Sequence, residues 1–301
     1  MKAVDLFAGA GGFTTGAKAA GVRVVWAANH WPLAVETHAA NHPDVAHVCQ
    51  DLHQANWEDV PAHDVLLASP ACQGHSRARG RDRAHHDATR STAWAVVSCA
   101  EVHRPALVLV ENVPEYAQWA LYPAWSQAMA ALGYTLSPHV LDSADYGVPQ
   151  NRRRLIIVGT RSRRPLILRE RRGSQPAIAP HIDLDAGRWR RIDASLAAAT
   201  QARIEHGRRT IGRRFLISYY GNTKTARPLS RPIGTITTRD RWAVVDGGRM
   251  RMLSADECRA AMGFPPDYRL PASQTAAKHL LGNAVTPPMV TAVLDELRAA
   301  A

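Results

Sequence analysis

The feature that most constrains this chain is a rhythm of apolar runs. DVLLAS (64–69), ALVLVEN (106–112) and LIIVGT (155–160) are apolar almost throughout, and stretches with helical spacing precede or follow them. A strand apolar on both faces must be covered on both faces, and helices between such strands supply the cover. AVDLF (3–7) and VRVVWAA (22–28) extend the pattern. FTTGAKAAG after the first and PLAVETHAANH after the second have helical spacing, the latter with Pro32 near its first turn. STAWAVVSCAEVHR (91–104) adds a helix opening at Ser91. This βαβ order predicts an α/β fold with a doubly wound sheet, whose ligands lie beyond the carboxyl ends of the strands.

From about Arg161 to Asp246 the rhythm gives way to arginine, proline and short irregular stretches, which predicts a second domain. We expect residues 1–165 plus 272–301 to form the larger domain and 166–271 the smaller. HLLGNAVTPPMVTAVLDELRAA should return as a helix onto the first domain. A length of 301 residues allows a sizeable core and two domains.

The net charge of +11 is unevenly spread. Residues 152–251 hold 24 Lys+Arg against 7 Asp+Glu (+17), leaving 13 against 19 (−6) for the rest. Blocks such as RSRRPLILRERR, RWRR and GRRTIGRR are the footprint expected for a polyanionic partner. A merely solvated arginine-rich surface is the bland alternative, and segregation to one segment speaks for nucleic acid. No apolar run is long enough to suggest a membrane span. Four cysteines (Cys49, Cys72, Cys99, Cys258) stand far apart without a C-x-x-C pair, which argues against a disulfide framework or a metal site and fits a reducing cytoplasm.

Three loops carry candidate chemistry. DLFAGAGGFTTG (5–16) sets glycines between a strand and a helix, where backbone amides can approach a ligand. Thr14 stands where a dinucleotide fingerprint needs glycine, which disfavours an NAD-dependent dehydrogenase. Phe13 reads equally as core. In LLASPACQGHS (66–76) Cys72 follows a buried strand on a polar loop, the placement of a nucleophile. Glu111 ends another buried strand, where a carboxylate must be paired or used. Arg152 and Arg154, ahead of LIIVG, are candidate partners, and together these groups could serve as nucleophile, proton donor and anion holder.

Taken in order, DLFAGAGGF, SPACQGHS, ENV, QNRRR and GNAVTPP resemble the motif set of the DNA (cytosine-5) methyltransferases, with RPIGTITTRDRW and LSADECRAAMGFPPDY resembling a late motif. The resemblance runs from Asp5 to Pro288, with no match around 165–230. It implies a mixed sheet of the S-adenosylmethionine-dependent methyltransferase type and a small target-recognition domain. It also implies methyl transfer to carbon 5 of a cytosine flipped out of a specific duplex DNA sequence. By resemblance, Cys72 adds to ring carbon 6, Glu111 contacts nitrogen 3 and the amino group, and Arg154 reaches oxygen 2. Arg152 should lie beside Glu111 and a DNA phosphate, and Asn112 should tie the cysteine loop.

The cofactor implied is S-adenosylmethionine, lined by Phe7, Gly9, Gly11, Phe13, Asn29, His30, Asp51, Leu52, Pro70, Asn283 and Val285. Asn29 stands where the family usually has a glutamate for the ribose, and His30, with Trp31 next, where an aromatic usually stacks on adenine. Ala71 replaces a common proline. DNA contacts are expected from Gln73, Ser76, Arg77, Arg79 and Arg81 on a closing loop, and from Arg208, Arg209, Arg213 and Arg214. The implied partner is duplex DNA, with no membrane, no obligate protein partner, and a monomer acting in a bacterial or phage-infected cytoplasm. Methylation of tRNA and a catalytically silent DNA-binding relative are the alternatives.

Overall fold

The structure, a computed structural model, describes residues 1–71, 91–173, 175–220 and 223–300. The chain divides into two compact units: residues 1–142, 153–171 and 285–301 form the first, and 143–152 and 172–284 the second. The expected boundaries differ at three places: 143–152 and 272–284 belong to the second unit, and 166–171 to the first.

Unit one is built on seven strands: β1 (Lys2–Leu6), β2 (Arg23–Asn29), β3 (Ala46–Cys49), β4 (Val65–Ala68), β5 (Leu107–Asn112), β6 (Thr135–Asp142) and β7 (Arg153–Thr160). Their order is β3-β2-β1-β4-β5-β7-β6. The first five are parallel, whereas β7 runs antiparallel to both β5 and β6. Helices α1 (Gly12–Ala19), α2 (Pro32–Asn41), α3 (Trp94–His103) and α4 (Tyr122–Ala131) connect the strands. Leu66, Leu67, Val108, Leu109, Val110, Ile156 and Ile157 are all buried, as apolar runs require in a sheet covered on both faces. The winding direction reverses between β1 and β4, so ligands are expected at that crevice.

Unit two holds α5 (Ala198–Thr210), α6 (Ala255–Ala261) and α7 (Gln274–Asn283), and a five-stranded sheet. Its strands are β8 (Arg190–Arg191), β9 (Arg214–Ser218), β10 (Arg227–Pro228), β11 (Trp242–Asp246) and β12 (Arg249–Met252). They lie antiparallel in the order β10-β9-β11-β12-β8. Phe215, Ile217, Ala243, Val245 and Met250 bury one face together with Ile204 of α5. A Cβ on Gly207 of α5 would come within 2.3 Å of the Phe215 ring, so only glycine lets this helix seat on the sheet.

The last helix, α8 (Pro287–Ala299), belongs to unit one and packs on α1. Thr291 Oγ1 donates to the Gly16 carbonyl at 3.0 Å, and Arg298 donates to that of Ala20. The predicted return of the C-terminus is therefore observed. Among the described residues no helix is long and apolar enough to cross a membrane.

Candidate active site and nucleic-acid interface

Strand β1 ends at Leu6, and the chain then turns sharply. Phe7 takes φ +61°, a left-handed conformation that costs a bulky residue about 1–3 kcal/mol and persists only where neighbours enforce it. Here they do. The Ala8 amide donates to Ala28 of β2 at 3.0 Å, and the Ser69 amide after β4 donates to Leu6 at 3.2 Å. Gly9 and Gly11, at φ +53° and +75°, complete the turn into α1. Gly12 and Gly16 serve a different need. A Cβ on Gly12 would lie 2.1 Å from the Val285 carbonyl oxygen, and one on Gly16 2.6 Å from that of Pro287. Half of this glycine set therefore shapes the ligand loop, and half lets the C-terminal segment close on α1.

Around this loop, Asn29 ends β2 with its Oδ1 accepting the Trp31 amide at 2.9 Å, and His30 is exposed. Asp51 is exposed and uses Oδ1 to cap the short turn Leu52–Gln54 through the His53 amide, while Leu52 is buried. Phe13 is buried, as its core reading expects. Thr14, which broke the dinucleotide pattern, donates from Oγ1 to Asp5 Oδ2 at 2.8 Å. Its hydroxyl also lies 3.0 Å from His38 Nε2, and His38 Nδ1 lies 2.7 Å from His47 Nε2. Burial pushes the Asp5 carboxyl up to about 7, with the Thr14 hydrogen bond opposing the shift. Burial likewise pushes His38 well down and His42 to about 4, so the imidazoles beside this carboxyl stay neutral.

Across the switch point lie the ends of β4 and β5 and the start of β7. Glu111, 5% exposed, pairs opposite Ile156 in the antiparallel ladder. That register sets Arg154 Nε 2.9 Å from Glu111 Oε1. Arg154 also gives Nη1 to the Arg153 carbonyl at 2.7 Å, which fixes the guanidinium plane. Next to Glu111, buried Asn112 donates from Nδ2 to the Pro70 carbonyl at 3.2 Å. The Ala71 amide donates to Thr92 Oγ1 at 3.1 Å. The residue just before Cys72 is thus anchored, and the expected tie from Asn112 is present.

Arg152 does not fit its expected role. It is 1% exposed, and its guanidinium donates to the carbonyls of Ile236, Gly282 and Ala284 at 2.7–2.9 Å. The expected phosphate contact is corrected on that ground: these donors are buried and hold three backbone acceptors within unit two. Arg154, two residues along and inside β7, is the arginine that pairs with the Glu111 carboxylate. Val285 is buried in unit one, and Asn283 is exposed at the end of α7 in unit two. Cys72, Gln73, Ser76, Arg77, Arg79 and Arg81 lie outside the described residues.

In unit two, arginines gather at one end of the sheet. A two-residue loop, Gly247-Gly248, joins β11 to β12, with Gly247 at φ +61°. At its base the Asp246 carboxylate is buried. It accepts Arg213 Nε at 2.8 Å, Arg214 Nε at 3.2 Å and Arg249 Nη2 at 3.0 Å. Burial alone would raise this carboxyl, but the three guanidinium groups hold it at about 2. Arg208, from the last turn of α5, donates to the Gly247 carbonyl at 3.1 Å, and Arg209 beside it is exposed. Arg191 of β8 pairs opposite Arg249, whose guanidinium carbon lies 4.4 Å from the Trp189 ring centre. The predicted Arg208, Arg213 and Arg214 are thus brought together. Asp246, Arg249, Arg191 and Trp189 were missed, although the turn signal DGG between apolar and basic runs marked the hairpin that assembles them. Tyr220 donates to the Thr235 carbonyl at 2.6 Å and packs on Trp242, a local core role.

Residues 1–299 match the family model for C-5 cytosine-specific DNA methylases. Among similar proteins, the Type II methyltransferase M.NlaX of Neisseria lactamica is 28% identical, with 100% of this chain and 97% of the relative covered. M.MspI of Moraxella sp is 26% identical over 99% of this chain and 70% of its own. Among solved structures, a mutant of Spodoptera frugiperda DNMT2 superposes with a TM-score of 0.71 at 17% identity, covering 99% of both chains. The S. pombe Dnmt2 methyltransferase gives 0.70 at 16% identity, over 100% and 98%. At that identity the likeness is one of fold.

Proposed function

The chain belongs to the C-5 cytosine-specific DNA methylases, and from that premise we propose that Cys72, Glu111 and Arg154 methylate carbon 5 of a cytosine flipped out of duplex DNA. The observation that carries this reading is the Glu111–Arg154 pair at 2.9 Å beside the Asn112–Pro70 anchor of the cysteine loop. The Glu111 carboxyl group and the Arg154 guanidinium meet where β5 and β7 adjoin, and Pro70 and Ala71, anchored after β4, immediately precede the proposed nucleophile in the chain.

The family's methyl donor is S-adenosylmethionine, which supplies the electrophilic methyl group that carbon 5 accepts. The residues around the β1 turn fit such a molecule. Asp51 presents an exposed carboxylate whose second oxygen can accept an amino N–H, and Asn29 offers an amide for a hydroxyl. Phe7 is held by its strained turn as an apolar wall, and a Cβ on Gly9 would meet only the Phe7 carbonyl oxygen, at 3.7 Å. Gly11, Phe13, His30, Leu52, Pro70 and Val285 complete the proposed lining, whereas Asn283 belongs to the second unit. An amide at position 29 gives up the charge-assisted hydrogen bond a carboxylate would make.

Carbon 5 of cytosine is a poor nucleophile until the ring is activated. The Cys72 thiolate adds to carbon 6, forming a C–S bond and pushing an electron pair toward nitrogen 3. Glu111 in its acid form holds a proton at nitrogen 3, and Arg154 orients the carboxyl group and hydrogen-bonds oxygen 2. Once carbon 5 carries the methyl group, a base removes its proton. The C–S bond then breaks and restores the double bond. Reaching these groups requires flipping the base from the stack, at roughly a few kcal/mol that contacts in the pocket offset. Gln73, Ser76, Arg77, Arg79 and Arg81 would hold the DNA around the vacated space. The second unit would read the target sequence, with Arg208, Arg209, Arg213 and Arg214 among its contacts. The bacterial Type II relatives support a modification role inside the cell; a monomer suits a task done on one base at a time.

The test is transfer of labelled methyl groups to duplex DNA, with tRNA as the competing substrate. Duplex carrying 5-fluorocytosine should trap a covalent complex with the wild-type protein and none with Cys72→Ala. Label entering tRNA alone, or no trapped complex, would overturn the reading.

A further inference from the structure

The arginine cluster at the β11–β12 hairpin has an arrangement that simple surface solvation does not explain. Three cations share one carboxylate, so the group carries a net +2 within a few ångströms and each guanidinium repels the others. Arg213 and Arg214 use only Nε on Asp246, and their Nη groups have no acceptor among the described residues. They are 73% and 49% exposed, whereas the carboxylate that holds them is 1% exposed. Arg249 is fixed more tightly, giving Nε and Nη2 to Asp246 Oδ2 at 3.3 and 3.0 Å while it lies over Trp189. Arg208 and Arg191 add two exposed cations at the same sheet end. A guanidinium anchored through Nε keeps its outer Nη edge aimed outward, the geometry that binds a phosphate oxygen pair.

We propose that Asp246 is a positioning residue that arrays Arg213, Arg214 and Arg249 as a phosphate-binding fork for the DNA backbone. This rests on the duplex-DNA reading above and deepens it: these arginines supply affinity and register and leave base recognition to other residues. Holding them in place before binding lowers the side-chain entropy lost on contact. The consequence runs against net charge. Removing the Asp246 charge makes the surface more positive, so charge alone predicts tighter DNA binding, and preorganisation predicts weaker binding.

The experiment measures the affinity of the full chain for a mixed-sequence duplex of about 30 base pairs by fluorescence anisotropy, over a series of salt concentrations. Asp246→Asn is expected to raise Kd by roughly 3–10-fold and to flatten the salt dependence. Arg213→Ala/Arg214→Ala, which removes exposed side chains and leaves Arg249 on the carboxylate, should lower the magnitude of the log–log salt slope by up to about 1.8. It keeps the test decisive should Asp246→Asn fail to fold, which circular dichroism would reveal. A folded Asp246→Asn protein that binds as tightly as wild type or tighter overturns the proposal, as does an unchanged slope in the double variant. Wild-type protein that shows the fork's salt signature without transferring methyl groups would refute the catalytic reading and leave the fork standing. Wild-type methylation of DNA with both variants binding normally would do the reverse.

Discussion

At the scale of single residues, the molecule separates charges that work from charges that are merely buried. Glu111 is paired, so Glu111→Gln keeps the shape and removes the group that could pass a proton. We expect methyl transfer to fall by about 10²–10⁴-fold with the circular dichroism spectrum unchanged, and a loss under tenfold would refute an acid role. Asp5 is the opposite case, since Thr14 occupies one oxygen and Oδ1 has no partner among the described residues. Its folded pKa, about 7, lies above the unfolded 3.8, so the folded state retains a proton that the unfolded state gives up. The stability this confers is full below about pH 3.8 and is lost as pH rises through 7. Asp5→Asn cannot titrate, so its advantage over wild type should grow by on the order of 3 kcal/mol between pH 5 and pH 8. Urea unfolding at the two pH values measures this, and a pH-independent difference would contradict it. The neighbouring histidines act with the other sign. His38 and His42 are held below 6.5 by burial, so unfolded imidazoles take up protons that the folded ones refuse as pH falls from about 6.5 toward 4. In wild type the two trends oppose each other across that window, and Asp5→Asn should expose the acid loss.

At the scale of elements, glycine decides how closely α1 meets α8. Gly16→Ala places a methyl group 2.6 Å from both the Pro287 oxygen and the Val290 Cβ. Backbone cannot swing aside like a side chain tip, so we expect destabilisation of about 1–3 kcal/mol or more, read as a lower urea midpoint with unchanged m. Wild-type stability in Gly16→Ala would mean that the helices separate freely. The same elements show what was legible beforehand. Strands β4, β5 and β7 announced themselves because a strand covered on both faces is apolar at every position. Strand β6 did not, since it lies at the sheet edge, is only partly buried and contains Pro138, which an edge tolerates. The five-stranded sheet of unit two was equally hidden: its strands run two to five residues, too short for a period to emerge among the arginines. Glu111 and Arg154 were found from strand ends alone. Both Arg152 and Arg154 were offered as partners of that carboxylate; which of them pairs with it was not legible, because that depends on β7 running antiparallel to β5, and a local pattern carries no strand direction. Arg152 misled for a related reason: a basic residue beside a motif looks solvent-facing until its burial is known.

At the scale of the whole molecule, the charge is partitioned along the chain, with +17 over residues 152–251 and −6 over the remainder. A uniformly basic protein would attract DNA over its whole surface and bind in many orientations. Concentrating the positive charge in one segment confines the attraction, while an acidic remainder repels the backbone and limits misdirected encounters. Such binding depends on releasing counterions, so it must weaken steeply with salt. A surface that neutralises about six phosphates gives a log–log slope near −5, or about a thousandfold loss of affinity between 50 and 200 mM salt. Chemistry in the flipped-base pocket does not share that dependence, because the reacting groups are enclosed and poorly screened. The expected result is that raising salt increases KM for DNA steeply while kcat at saturating DNA changes less than about threefold. Steady-state methylation across that salt range would check it. A kcat that fell in parallel with affinity would mean that the basic segment acts on the chemical step itself, and the division between a DNA-holding segment and a reacting centre would have to be abandoned.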